Sequence, residues 1–234
     1  VFSTVSASLK KWVFCGGLRF DYRYLNVPKM QHPNANFTTF NRHFGGITGS
    51  LGIVFNVSEN FDIKLNLSRG FRIPSINELS ANGHHEGTLR YEIGNNSLKP
   101  EYSLQTDLGV DYNNRYLSLQ ITPFVNYVNN YIFASRLDSI IKEDLMTFQF
   151  QQGNALLTGL ETVVDIHPIH QLHIGTAFSY VYAIQLNQPE STKYLPFTPA
   201  PKWTTDITWE ITHKASLFNN AYITIGVDWY MKQN

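Results

Sequence analysis

Apolar and polar residues alternate one for one through most of this chain, and the alternating runs are joined by connections that are short and long in turn. In FDIKLNLSRG, Phe61, Ile63, Leu65 and Leu67 fall on one side, and Asp62, Lys64, Asn66 and Ser68 on the other. Period two is the mark of a β-strand with one apolar and one polar surface. Leu117, Leu119, Ile121, Val125 and Tyr127 oppose Ser118, Gln120, Thr122 and Asn126 in the same way. Leu172, Ile174, Phe178, Tyr180 and Tyr182 oppose His173, Gly175, Ala177 and Ser179, and Trp203, Ile207, Trp209 and Ile211 oppose Thr204, Asp206, Thr208 and Glu210. Alternation and turn signals place about ten strands, near residues 1–8, 12–26, 44–58, 61–70, 101–113, 116–133, 149–167, 171–186, 202–213 and 220–231.

The connections carry the topology. Leu9–Lys11, Glu59–Asn60, Asn114–Arg115, Pro168–His170 and Lys214–Asn219 are short, whereas Val27–His43, Phe71–Pro100, Ala134–Phe148 and Asn187–Pro201 are long. A strict rhythm of tight turns on one rim and long loops on the other is what an up-and-down membrane barrel needs, and a Greek-key sandwich has no reason to keep it. Several runs exceed the roughly 9–11 residues that cross a bilayer, so they are expected to project beyond it. Pro123 lies inside one such run and removes a ladder hydrogen bond. Because the apolar parity holds from Ile121 to Val125, a local kink without a change of register is expected. An open sheet of about ten strands would leave bare edges in lipid, so the pattern calls for the further strands of a larger barrel.

Composition excludes several classes. The 234 residues carry 18 basic and 18 acidic side chains, which leaves no electrostatic case for nucleic acid. Aromatics make up 14%, a content suited to interfacial girdles. Mean hydropathy is slightly negative, and no apolar run reaches the roughly 18 residues of a spanning helix. The single cysteine, Cys15, forms no intrachain disulfide and reads as a small strand residue. Nothing resembles a nucleophile elbow or a paired-carboxylate motif, so the chain is not read as an enzyme. VFSTVSASL at the start reads as a strand already under way, and TIGVDWYMKQN ends just beyond another, as expected of a piece of something longer.

Five segments then point to a family. The loop FRIPSINEL…GHHEGT…RYEIGN…LKPE follows the two-strand run SLGIVFNVSENFDIKLNLSRG. GGLRFDY (Gly16–Tyr22) precedes it, and GNALLTGLETVV and the proline-rich YLPFTPAPKWT come after. Their order and spacing closely resemble the TonB-dependent outer-membrane receptors. The resemblance implies an all-β fold, an antiparallel up-and-down transmembrane β-barrel of about 22 strands. Residues 1–234 would be part of that one barrel domain. It further implies the outer membrane of a Gram-negative bacterium, and an N-terminal plug through which TonB drives uptake of a scarce ligand. An iron siderophore or haem is the first expectation. A zinc or copper receptor of the same family is the alternative, and a passive or adhesive surface barrel without TonB coupling is the rival from another class. No resident cofactor is implied. The partners implied are the bilayer, the TonB complex, a small metal-containing ligand and a surface lipoprotein.

The ligand-binding candidates lie in the longest loop: Arg72, His84, His85, Glu86, Arg90 and Tyr91. Neutral imidazole binds zinc, copper or haem iron, which makes His84 and His85 the metal candidates. An arginine at a lumen mouth suits an anionic siderophore. The residues alone leave a second reading open, in which this loop is a shared structural hairpin and Arg72 is paired with Glu78 or Glu101. Two adjacent histidines on an extended strand point to opposite sides, so at most one faces the lumen. His32 and His43 flank another long loop, while His167, His170, His173 and His213 fall at the short-turn rim. Asp62, Lys64, Asp107, Asp111, Glu161 and Asp206 are expected to face the lumen.

Overall fold

The computed structural model describes residues 1–28, 38–85, 87–142, 144–212 and 221–233. Among the described residues, twelve strands and one short helix follow one another: β1 (Phe2–Leu9), β2 (Trp12–Val27), β3 (Phe40–Ser58), β4 (Phe61–Arg72), α1 (Ile76–Ser80), β5 (Asn82–His85), β6 (Arg90–Ile93), β7 (Glu101–Asn113), β8 (Leu117–Lys142), β9 (Leu145–Ile169), β10 (Leu172–Gln185), β11 (Lys202–Thr212) and β12 (Ala221–Tyr230). Ten of them pair antiparallel in the order β1-β2-β3-β4-β7-β8-β9-β10-β11-β12. Each strand in this path therefore neighbours the next, in one continuous all-β meander. β5 and β6 stand outside it as a hairpin, joined to the sheet where β6 runs parallel to β9.

The short connections are tight because their residues suit tight turns. Leu9 pairs with Trp12 across a two-residue turn, and Lys10 takes a left-handed φ of 52°. Asn114 closes the β7–β8 turn by accepting hydrogen bonds from the backbone N–H groups of Tyr116 and Leu117 with its side-chain oxygen, both at 2.8 Å. The expected short connection Lys214–Asn219 lies outside the described residues, as do His32, Glu86 and His213.

Exposure on the two faces decides what kind of sheet this is. Ile63, Leu65 and Leu67 are exposed, while Asp62, Lys64, Asn66 and Ser68 behind them are partly covered. Across the register, Leu65 lies beside Ile53 and Leu108, and Leu67 beside Leu51. The exposed apolar band continues through Phe14, Leu18 and Phe20 on β2 and Trp203, Ile207, Trp209 and Ile211 on β11. In a sandwich a second sheet would bury this face; here none of the described residues covers it. A contiguous apolar face of this extent fits a lipid environment.

The other face is polar and cross-linked. Asp62 lies directly beside Asp111, and Lys64 forms an ion pair with Asp111 that relieves the like charges. Asp107 accepts hydrogen bonds from Asn66 Nδ2 at 3.2 Å and Gln105 Nε2 at 2.7 Å. Register from strand to strand sets Asp62, Lys64, Asp107, Asp111, Glu161 and Asp206 all on this face, with Thr122 and Ser179 flanking Glu161.

Two elements differ from expectation. The described residues between 134 and 148 form no open loop, because β8 continues to Lys142 and β9 begins at Leu145. The alternation is lost there because Asn129 and Asn130 together oppose Asn154, whose side-chain oxygen accepts from Asn129 Nδ2 and the Asn130 backbone N–H. A bulge of this kind puts the pattern out of phase while the pairing goes on. The second difference is α1, β5 and β6, which turn residues 73–100 from a loop into a folded element. The register expected at Pro123 is kept: pairing with β9 runs unshifted through Ile121, Pro123 and Val125.

The two faces make a direct prediction. Leu65→Lys is expected to destabilise the folded barrel in lipid vesicles by about 2–4 kcal/mol, whereas Lys64→Gln, on the wet face and partly exposed, costs about 1 kcal/mol or less. Denaturant titration followed by tryptophan fluorescence measures both, and equal tolerance would reverse the face assignment.

Candidate functional site

The longest loop begins where β4 ends, and its first turn is written in local sequence. Ser75 caps α1, accepting from the Glu78 backbone N–H at 3.2 Å, while the Glu78 carboxylate accepts from the Ser75 N–H at 2.6 Å. This reciprocal box is the S-x-x-E signature of a helix start. The signal was available in Ser75–Glu78 and would have located α1 from sequence.

Arg72 is held at the base of the loop. Its Nε and Nη2 donate to the two oxygens of Glu101, each at 2.6 Å, and Nη1 donates to both oxygens of Glu78 at 3.0 Å. Glu101 also accepts from the Ile132 backbone N–H at 2.6 Å, which ties β7 to β8. The fork-to-fork geometry is the strong form of arginine–carboxylate pairing. Hydrogen bonding to Glu101 above all raises the Arg72 pKa further above its ordinary value. The guanidinium joins three segments and has both faces of its fork committed.

Packing completes the anchorage. Leu79 of α1 and Leu98 are almost wholly buried against Leu25 and Val27 of β2, Phe40 and Phe44 of β3, and Ile132 of β8. Gly94 passes so close to α1 that a Cβ there would lie 2.5 Å from the Ser80 nitrogen and 2.6 Å from that of Ala81. Its N–H donates to Ala81 O at 2.6 Å, and the Asn95 N–H donates to Glu78 O at 2.8 Å. Arg42 Nη1 donates to the carbonyls of Asn96 and Leu98 at 2.6 and 2.7 Å. Gln152 of β9 accepts from the Lys99 N–H at 2.8 Å and donates to the Lys99 carbonyl at 2.6 Å.

The β5–β6 hairpin stands on this base. His84 lies beside Tyr91, and His85 beside Arg90. Arg90 Nε donates to Glu92 Oε1 at 2.7 Å, and its guanidinium sits 5.0 Å above the Phe148 ring. Glu92, almost fully buried, also accepts from Asn77 Nδ2 at 2.8 Å. Tyr91 is buried, with its hydroxyl donating to Asn82 at 3.0 Å. Both histidines are exposed. His85 Nδ1 is 3.0 Å from Thr88 Oγ1, and His84 makes no side-chain hydrogen bond or ion pair to any described residue.

The candidates therefore separate by role. Arg72, Arg90 and Tyr91 are engaged in holding the loop, while His84 and His85 are presented at its tip. No three His, Cys, Asp or Glu side chains among the described residues stand together as ligands to one metal. His43 does not join them: it pairs with Tyr24 on the apolar face, its Nδ1 2.6 Å from the Tyr22 hydroxyl.

The whole chain, residues 1–234, matches the family model of the TonB dependent receptor-like β-barrel. The chain belongs to the TonB-dependent receptor β-barrel family. It is thus an outer-membrane barrel chain of Gram-negative type, in a family of transporters and not enzymes. Among solved structures, the copper transporter OprC superposes with a TM-score of 0.71 at 19% identity, over 89% of this chain and 31% of that one. The Serratia marcescens hemophore receptor HasR, solved with its hemophore and heme, gives 0.69 at 14% identity, over 90% and 41%. The Pseudomonas aeruginosa ferric enterobactin receptor PfeA gives 0.64 at 21%, over 95% and 30%. At these identities the likeness shows the fold. The receptor barrel chain spans about a third of the length of such proteins.

Gly94→Ala is expected to unseat the loop, because the methyl would meet backbone atoms that cannot give way. Limited proteolysis should cut residues 73–100 at least ten times faster than in the parent, with the strands still protected. Arg72→Lys should also loosen the loop, since a single ammonium cannot reproduce the two-nitrogen pairing with Glu101 and reach Glu78 as well.

Proposed function

We propose that this chain is part of one receptor barrel domain that takes up a scarce metal-containing ligand, with haem or an iron siderophore as the cargo. The observation that carries this reading is the exposed His84–His85 pair on a rigidly anchored loop at the long-loop edge of a membrane sheet. Imidazole is a ligand for haem iron and for free transition metals. Arg72 and Arg90 are committed to internal carboxylates, which leaves them less available to an anionic siderophore and makes haem the first of the two cargoes to test. The named neighbours include receptors for copper, for heme with its hemophore, and for ferric enterobactin. Copper or zinc is therefore the second cargo to test.

On this reading the long-loop edge faces outward and the polar face lines the lumen. Asp62, Lys64, Asp107, Asp111, Glu161 and Asp206 then face the lumen and the plug, whose contact with TonB couples uptake to the inner-membrane proton gradient. A surface lipoprotein that hands over the ligand would dock at the outer loops.

The test is growth of cells with a single source of iron, haem, copper or zinc after His84→Ala and His85→Ala are combined. Loss of growth on one source, at unchanged receptor level, names the cargo; unaltered growth on all four reduces the pair to a structural role. Collapse of the proton gradient is expected to stop uptake. Uptake that persists would make this a passive barrel.

A further inference from the structure

A second group of imidazoles lies at the opposite, short-turn edge, and the uptake reading makes no use of it. Leu172 pairs with Ile169 and Ile174 with Ile166, so that His167 and Pro168 together face His173 across a register shift at the β9–β10 turn. The shift brings the two side chains together. His167 Nδ1 and His173 Nδ1 are 2.8 Å apart, the ring planes are 83° from each other, and the ring centroids are 4.6 Å apart. A head-on N–H···N bond would hold the centroids farther apart, so the rings meet at an angle.

We propose that His167 and His173 form a binding site for a divalent transition-metal ion, Cu2+ or Ni2+. A 2.8 Å Nδ1–Nδ1 contact requires one nitrogen to donate and the other to accept, so one lone pair already points at the shared position. Glu210 Oε1 lies 3.8 Å from His173 Nε2. The carboxylate therefore stands on the side of the ring away from Nδ1, the side it occupies in carboxylate–histidine–metal arrangements. The metal takes the place of the proton between the rings. Two nitrogens bound at about 2.0–2.1 Å and at a right angle stand about 2.9 Å apart, close to the spacing found; a tetrahedral pair needs about 3.4 Å. Adjacent nitrogens at a right angle with water in the remaining positions belong to square-planar or tetragonal coordination, which points to copper(II) or nickel(II).

Entry of the metal requires the ring that carries the bridging Nδ1 proton to shift to its Nε2–H tautomer by proton exchange with water, so that both imidazoles bind as neutral ligands through Nδ1 and no net proton is released. With no third described side chain at ligand spacing, water completes the coordination. The crevice is lined by Arg115, Tyr116 and His170. The Arg115 guanidinium lies over the Tyr116 ring at 5.6 Å.

The intact receptor, purified in detergent without a histidine tag and carrying His84→Ala and His85→Ala, is titrated with copper(II) chloride. Binding is followed by calorimetry and electron paramagnetic resonance. The expected spectrum shows two equatorial nitrogens. His167→Gln and His173→Gln should each weaken this binding at least ten-fold, and Glu210→Gln should weaken it several-fold with both nitrogens retained. Heat-modifiable migration on a gel verifies that each variant is folded. Unchanged copper affinity in a folded His167→Gln/His173→Gln variant overturns the site, as does a spectrum with fewer than two nitrogens. The growth outcome for His84 and His85 has no bearing on this result.

Discussion

Backbone hydrogen bonding in an apolar medium is the constraint on which the rest depends. A peptide group facing hydrocarbon has no water to bond, so every strand of a membrane sheet must be paired along both edges. The meander meets that demand from β2 to β11 by a short route, each strand lying beside the next one in the path, with only β5 and β6 set aside between β4 and β7. Period-two alternation follows, because one face meets lipid and the other a polar interior. Long and short connections follow as well, because successive turns emerge on opposite sides of the membrane. β1 and β12 each pair on one side only among the described residues, which is why the sheet calls for neighbours to close it.

The same constraint explains why the long loop is so heavily anchored. Above the membrane the sheet presents the apolar side chains Leu25, Val27, Phe40 and Phe44 without lipid to cover them. Leu79 and Leu98 supply that cover, and burying them draws α1 and its backbone inward. Backbone groups drawn inward then need partners, and Arg42, Gln152 and Glu101 provide them. The Arg72–Glu78–Glu101 group is better understood as a clamp that orients the loop than as a ligand site. Presentation of His84 and His85 is a consequence of that rigidity: a hairpin fixed at its base holds its tip in one place.

Much of this was legible in the chain because alternation has a period that sterics enforce. All ten strands of the main path were located from it, and the register leaves Pro123 without effect on pairing with β9. It stopped short at residue 133, a few residues past the bulge at Asn129 and Asn130, although β8 runs on to Lys142, and it failed where elements are too short to show a period, as in β5 and β6. The four-residue stretches Asn82–His85 and Arg90–Ile93 contain no pattern that distinguishes strand from loop. Their pairing depends on Tyr91 and Glu92 finding buried positions beside β9.

The sequence by itself determined the class of fold, the identity of the two faces and the set of residues from which a site could be drawn, because these depend on near neighbours along the chain. Tertiary structure decided which of those residues are committed and which are available. Arg72 and Glu101 are 29 positions apart, and only the pairing of β4 with β7 brings guanidinium and carboxylate to 2.6 Å. His167 and His173 are close in sequence, yet their contact requires the one-sided register shift at the β9–β10 turn. Contacts of this kind depend on how strands lie side by side, and the order of residues along a single strand does not contain them.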